Sequence, residues 1–380
     1  MPLFHSPSWH LFGRPPPPTP ARLHASASSD NHRQHENDHQ FYTEDGSSIH
    51  DLLALYLQKK KEAAAVGNDV MQKPINHSSA HDGGGSGSNG SVYLVGTGPG
   101  DPELLTVKAV RLMQTADVVL YDRLVSQHIL QLVNPSALMV YVGKQRSYHT
   151  RTQQEIHELL RTFAADGGAT VIRLKGGDPF IFGRGGEEAQ YLQERGVSVH
   201  CVPGITAAAG ISAQLGIPLT HRGLATSVRI LTGHAREGGE AALDEAIATA
   251  VDPHTTLIVY MGLATLRRMV GELMHGGLRG DTPAAAIERG TTPEQRIVWS
   301  RLDGLADETE RAALKSPTLI VIGKVVAVAQ GWQRAQARGV CLEIPSLEIE
   351  EKEEEWSWDY NPIRSSGTAD AEIGSGWRML

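Results

Sequence analysis

Between residues 92 and 328, short runs of valine, isoleucine and leucine alternate with stretches of helical periodicity, and no other property of this chain narrows its fold so far. Residues 92–95, 117–122, 137–142, 170–174 and 197–202 read as strands. Residues 104–113, 153–163 and 185–194 read as helices between them. Strands that alternate with helices predict a parallel sheet joined by right-handed crossovers. Pro203-Gly204 interrupts the rhythm, and an alanine-rich helix over 205–215 follows. The pattern resumes with 227–232, 256–261, 284–288 and 318–322, while 295–300 alternates like an antiparallel strand. The expected fold class is α/β, with an N-terminal α/β domain over 91–204 and a C-terminal α/β domain over 205–329. A ligand is expected in the cleft between them.

The ends of the chain differ in kind. The start carries Pro15 to Pro18, a serine cluster near Ser26, and Arg14 and Arg22 before the first acid, Asp30. That composition resembles an organelle transit peptide. Leucines at helical spacing mark a possible helix over 50–65, and residues 83–88 have linker composition. Residues 1–90 are expected to be a disordered transit-like and linker region. Residues 330–380, with Glu350, Glu351, Glu353, Glu354 and Glu355 nearly contiguous, are expected to be an acidic disordered tail. The formal net charge of -8 gives no general attraction to nucleic acid or anionic membrane. No apolar run approaches the roughly 18 residues needed to span a bilayer. Cys201 and Cys341 are the only cysteines, which argues against a disulfide framework. The expected partner is therefore a small molecule.

The strand at 170–174 runs into Lys175-Gly176-Gly177-Asp178-Pro179-Phe180-Ile181-Phe182-Gly183-Arg184-Gly185-Gly186. Glycine admits positive φ and lets another molecule touch the backbone, so this run reads as a binding loop at the carboxyl edge of a parallel sheet. A second loop, Gly96-Thr97-Gly98-Pro99-Gly100, follows the first strand. Its third glycine comes one position early for a dinucleotide fingerprint, and Pro99 removes an N–H that a pyrophosphate cradle would use. A less charged adenosyl ligand fits it better, although many strand–helix turns carry glycine for geometry alone.

Asp122 and Lys144 fall at predicted strand ends, where a carboxylate and an amine can accept and donate a proton. A strand-end ion pair is the plainer reading of the same two residues. Arg123, Arg146, Arg151, Arg184 and Arg222 lie in predicted loops; grouped guanidinium ions bind carboxylates in bidentate fashion, and singly they read as surface arginines. Most of the 17 histidines sit in the N-terminal region without ligand spacing, so no metal site is expected.

Several of these segments, taken in order, resemble the tetrapyrrole C-methylases. Val95-Gly96-Thr97-Gly98-Pro99-Gly100 with Leu104-Leu105-Thr106-Val107-Lys108-Ala109 is similar to the first signature of that family. The run from Arg173 to Glu188 resembles the form found in its uroporphyrinogen-III C-methyltransferases. Tyr121-Asp122-Arg123-Leu124-Val125, Pro203-Gly204-Ile205-Thr206-Ala207, Pro218-Leu219-Thr220-His221-Arg222, Thr232-Gly233-His234, Tyr260-Met261-Gly262 and Gly290-Thr291 extend the resemblance over about 92–328.

The resemblance implies two α/β domains with S-adenosyl-L-methionine in the cleft, released as S-adenosyl-L-homocysteine, and a homodimer. It implies two methylations of uroporphyrinogen III to precorrin-2, feeding sirohaem or cobalamin. Pro99, Gly176, Gly177, Asp178, Ile181, Thr206, Ala207, Met261 and Gly290 match cofactor-contacting positions. Asp122 matches the proton acceptor and Lys144 the proton donor. A polycarboxylate tetrapyrrole gives the five arginines a use as substrate contacts. A tetrapyrrole pathway with a transit-like start points to the plastid, with mitochondrion or cytoplasm as alternatives. Other methylases of the same scaffold, and a non-enzymatic cofactor-binding regulator, remain the competing readings at this stage.

Overall fold

The computed structural model describes residues 42–43, 48–65, 90–143, 151–233, 247, 250–339 and 341–343. Two six-stranded sheets organise them. The first has the order β1-β4-β3-β5-β2-β6, built from β1 (Tyr42–Thr43), β2 (Ser91–Gly96), β3 (Val118–Tyr121), β4 (Leu138–Tyr141), β5 (Thr170–Lys175) and β6 (Ser198–Val202). Every pairing in it is parallel, as the alternation of strands and helices predicts. β5 and β2 lie inside the sheet, so their valines, isoleucines and leucines are buried and their carboxyl ends open side by side at one edge.

Three helices of this layer start on the following side-chain caps. Thr106 accepts the Ala109 N–H at the head of α2 (Val107–Thr115), and Ser126 accepts the Ile129 N–H before α3 (Gln127–Leu130). Thr152 and Glu155 form a reciprocal capping box on α4 (Gln153–Arg161), which satisfies two orphan N–H groups at once. α5 (Gly185–Gln193) and α6 (Ala207–Gln214) complete the helices that reach the site.

The second sheet contains the antiparallel strand expected at 295–300 but departs from expectation in its other pairings. Its order is β12-β10-β9-β11-β8-β7, from β7 (Ser227–Thr232), β8 (Thr255–Tyr260), β9 (Pro283–Glu288), β10 (Arg296–Arg301), β11 (Thr318–Ile322) and β12 (Leu342–Glu343). Only β7 and β8 pair in parallel; β8–β11, β11–β9, β9–β10 and β10–β12 are antiparallel. The short link between Glu288 and Arg296 cannot hold the crossover that a parallel pair needs. The alanines of β9 also find their reason here: Ala285 lies opposite Trp299 in β10, whose ring takes up the space.

Both terminal expectations need correction. α1 (Ile49–Ala65) belongs to the first core, with Leu52 and Tyr56 buried among Val92, Leu94, Leu159 and Phe163. Tyr56 meets Phe163 edge to face at 6.0 Å, and β1 extends the sheet along β4. The region 1–90 is thus not uniformly a linker, because this helix has an apolar face to bury. At the other end, the helix Gln330–Arg338 buries Trp332 and Ala335, and β12 pairs with β10. The acidic run itself and the glycine–serine linker lie outside the described residues. Leu52→Ala is expected to lower stability by about 2–5 kcal/mol, as for other buried leucines, in urea unfolding of the full chain. An unchanged midpoint would mean that α1 is only a tail.

Candidate active site

The carboxyl ends of β2 and β5 are stitched together through backbone. Thr97 N–H donates to the Lys175 carbonyl at 2.9 Å, and Gly98 and Gly177 exchange hydrogen bonds of 3.2 and 2.7 Å. Gly98 has φ +72 and Gly177 φ +69, so the bridge needs the left-handed conformations that glycine allows. The turn after β6 closes on the same point. A Cβ on Gly204 would stand 2.2 Å from the Gly177 carbonyl oxygen and 2.7 Å from the Gly96 carbonyl carbon. Three chain segments therefore touch main chain to main chain.

Asp178 holds this junction. One carboxylate oxygen accepts the Phe180 N–H at 2.9 Å and the other accepts the Gly204 N–H at 3.1 Å. The side chain that the sequence assigns to the cofactor thus also ties the loop after β5 to the turn after β6.

α6 starts directly opposite. A Cβ on Gly177 would meet nothing closer than Thr206 Cα at 3.8 Å and Ala207 N at 3.9 Å. That glycine leaves a space between its own backbone and the first turn of α6, as a backbone-lined cradle requires. The second layer reaches the same helix. The Tyr260 hydroxyl accepts the Ala208 N–H at 2.8 Å and hydrogen-bonds the Thr206 hydroxyl. Met261 follows, exposed and at φ +53. Gly290 packs so closely on Ile211 of α6 that a Cβ there would stand 2.4 Å from Ile211 Cδ1. Pro99 contacts α6 at Gly210.

Of the nine predicted cofactor positions, Gly176 faces Leu124, Asp178 ties the loop after β5, Met261 follows Tyr260, and Pro99, Gly177, Thr206, Ala207 and Gly290 meet at α6 to form the cradle. Phe180, Ile181 and Phe182 project exposed at its rim, and the Phe182 ring lies 5.3 Å from that of Tyr260. Phe182, Arg184, Met261, Arg289 and Thr291 all have positive φ without being glycine. Such backbone strain clusters where function fixes a conformation. A separate cavity of about 440 Å³ lies between the turn at Asp101–Leu104 and α6, and none of the nine positions lines it.

Asp122 stands beside this cradle, just beyond β3. One carboxylate oxygen accepts the Leu124 N–H at 2.9 Å, and the other accepts from Arg173 at 2.8 Å. Burial pushes its pKa up, but the Arg173 guanidinium, the Leu124 N–H and Lys175 outweigh that and hold the carboxyl below its ordinary value. Arg173 and Lys175 are i, i+2 neighbours on β5, and both are buried. Lys175 Nζ donates to both oxygens of the buried Glu188 of α5, at 3.1 and 3.0 Å. Gln153 of α4 donates to Glu188 at 3.1 Å.

Sequence reasoning passed over Arg173, Lys175 and Glu188 as site residues. The available signal was two cations on one face of an otherwise apolar strand, a pattern that demands a buried counter-charge.

The arginines are less gathered. Arg123 is exposed beside Asp122, and Arg184 is exposed and paired with Glu187 at 2.6 Å. Arg151 precedes α4 at intermediate exposure. Arg222 lies exposed in the turn closed by the His221–Ala225 bridge, and no described contact ties it to the cradle. Lys144 and Arg146 lie outside the described residues.

The sequence pattern of the tetrapyrrole (corrin/porphyrin) methylases matches residues 91–306. A chloroplastic S-adenosyl-L-methionine-dependent uroporphyrinogen III methyltransferase of Arabidopsis thaliana is 61% identical over 259 residues, which cover 68% of this chain and 70% of that protein. A siroheme synthase of Thiobacillus denitrificans is 48% identical over 280 residues; the match takes in 73% of this chain but only 57% of that longer protein. The crystal structure of uroporphyrin-III C-methyl transferase from Thermus thermophilus, complexed with S-adenyl homocysteine, superposes with a TM-score of 0.54 at 44% identity, over 63% of this chain and 100% of that one.

Proposed function

The chain belongs to the tetrapyrrole (corrin/porphyrin) methylases, and on that premise we propose that it methylates uroporphyrinogen III twice, with S-adenosyl-L-methionine as donor, to give precorrin-2 for sirohaem. The observation that carries this reading is the convergence of a glycine backbone cradle, the first turn of α6 and the charged Asp122 at one sheet edge.

The residues present fit the donor. Gly177 leaves open the space that a side chain would fill beside Thr206 and Ala207, and Pro99, Gly176, Asp178, Ile181, Met261 and Gly290 are assigned with them as its holders on the resemblance. When bound, S-adenosyl-L-methionine supplies a sulfonium-activated methyl group to the enamine-like carbon of a reduced pyrrole. The chain's own task is then to align the acceptor, exclude water and manage one proton. The exposed Phe180 and Phe182 offer apolar faces to a flat macrocycle. Asp122, kept ionised by Arg173, accepts the proton that the methylated ring gives up, and its negative charge favours the cationic ring before that loss. Lys144 is assigned as proton donor on the resemblance alone.

Arg123, Arg146, Arg151, Arg184 and Arg222 are assigned to the substrate carboxylates by charge. Arg123→Ala is expected to raise the KM for uroporphyrinogen III by roughly tenfold with kcat little changed, since one charge-assisted contact contributes about 1.5–3 kcal/mol. An unaltered KM removes Arg123 from that set. The working unit is a homodimer in the plastid, a placement supported by the chloroplastic relative. Incubation with uroporphyrinogen III and S-adenosyl-L-methionine, followed by mass analysis, should yield a dimethylated product. Methylation of a different acceptor alone, or binding without turnover, would refute the reading.

A further inference from the structure

Arg173, Lys175 and Glu188 are 4%, 4% and 1% exposed, and apolar residues of similar size would fill such a site at lower desolvation cost. Their arrangement is directional. Glu188 accepts from Lys175 through both oxygens and from Gln153, and Arg173 Nε stands 3.7 Å away as an ion pair, beyond hydrogen-bond reach and without a hydrogen-bond partner among the described residues. The other arms of Arg173 are spent on the Leu174 carbonyl, at 2.8 Å, and on Asp122. Glu188 thus satisfies Lys175 and leaves one guanidinium arm for Asp122. With Asp122 the cluster holds two cations and two anions, so the pocket is neutral only while Asp122 is ionised.

We propose that Glu188, acting through Lys175 and Arg173, is a positioning residue that fixes Asp122 as an ionised, oriented carboxylate, an inference that rests on the reading of Asp122 as proton acceptor. The groups that face this cluster come from every element around it. β5 gives Arg173 and Lys175, and α5 gives Glu188, with Glu187 turned outward to Arg184. α4 gives Gln153 and, behind it, His157, whose ring nitrogen lies 3.1 Å from the Gln153 amide. The loop after β3 gives Asp122 itself, and its neighbour Arg123 is exposed. The turn of α5 contributes as well. Arg184 precedes it at φ +58, and Glu188 sits in its first turn, where the helix dipole favours an anion.

The test is the pH dependence of kcat/KM in the full chain, each variant divided by the parent so that titration of the substrate's own carboxylates cancels. Arg173→Gln removes the cation next to Asp122 and should move the acid limb up by roughly 1–3 pH units. Arg173→Lys keeps the charge and should restore most of the parent profile. Glu188→Gln leaves the cluster with one positive charge in excess and should move the limb the opposite way, to lower pH, with lower kcat and unchanged affinity for S-adenosyl-L-homocysteine. If Arg173→Gln does not fold, the direction of the Glu188→Gln limb decides alone. Parent-like limbs in the variants that fold, or an upward shift in Glu188→Gln, would overturn the inference. The underlying reading fails separately, through an Asp122→Asn variant that still turns over at the parent rate.

Discussion

Asp122→Asn should lower kcat by a factor on the order of 10²–10⁴, the usual share of a positioned proton-transfer group, while S-adenosyl-L-homocysteine still binds. Asparagine keeps the shape of the side chain but has one acceptor oxygen, so it retains either the Leu124 N–H or the Arg173 N–H and not both; the cradle formed by Gly98, Gly177 and Gly204 is held by bonds that do not pass through Asp122 and has no reason to move. What it loses is the charge and the basic lone pair. Steady-state turnover alongside calorimetric titration with S-adenosyl-L-homocysteine separates these effects, and turnover within a few-fold of the parent would take Asp122 out of the chemistry.

The same substitution has a second signature in stability. The folded carboxyl lies below its ordinary value, so its contribution is present above the unfolded carboxylate pKa of roughly 3.9 and fades as pH falls through the folded value. The unfolding midpoints of parent and variant should therefore differ at neutral pH and converge in acid.

How far the site could be read from sequence depended on the range of the interactions that build it. The loops at Gly96–Gly100 and Lys175–Gly186 were legible because glycine after a buried strand states a local need of the backbone, and Gly98 and Gly177 do occupy positive φ. The parallel first sheet was legible for the same reason, since each crossover is written locally. Nothing local marks Glu188 as the partner of Lys175, or Arg173 as the partner of Asp122; those pairs exist only once β5 is flanked by β3 and packed under α5. In the second sheet the antiparallel strand at 295–300 was legible from its alternation, and β10 is that strand; the antiparallel pairings of β11 with β8 and β9 were missed because helices between those strands resemble crossovers. α1 looked like part of a leader because its leucines point at a core supplied by residues far along the chain. Asp178 shows a subtler limit. Its place beside the cradle was legible, but its grip on Gly204 N–H was not, so a change there disturbs loop and cofactor together.

Gly204→Ala should be the most damaging single methyl group that can be added near the cradle. Its Cβ would meet only main chain: Gly177 O at 2.2 Å and Gly96 C and Cα at 2.7 and 2.8 Å. No flexible side chain can swing away, so β2, the loop after β5 and the turn after β6 must separate. Separation strains the Gly204 N–H bond to Asp178 and threatens the Gly98–Gly177 bridge. Overpacking of this kind costs roughly 1–3 kcal/mol in stability, occasionally more. The same displacement moves Gly177 relative to Thr206, so affinity for S-adenosyl-L-homocysteine should fall at least about tenfold, the equivalent of roughly 1.4 kcal/mol. Gly186→Ala is the matched control. It adds the same methyl in the first turn of α5 with nothing within 4 Å, and alanine's helix propensity makes it neutral or stabilising by up to about 1 kcal/mol. Thermal unfolding and calorimetric titration of the two variants should therefore diverge in sign for stability and differ tenfold in affinity. Parent-like binding by Gly204→Ala would mean that the three-segment contact does not shape the cofactor cradle.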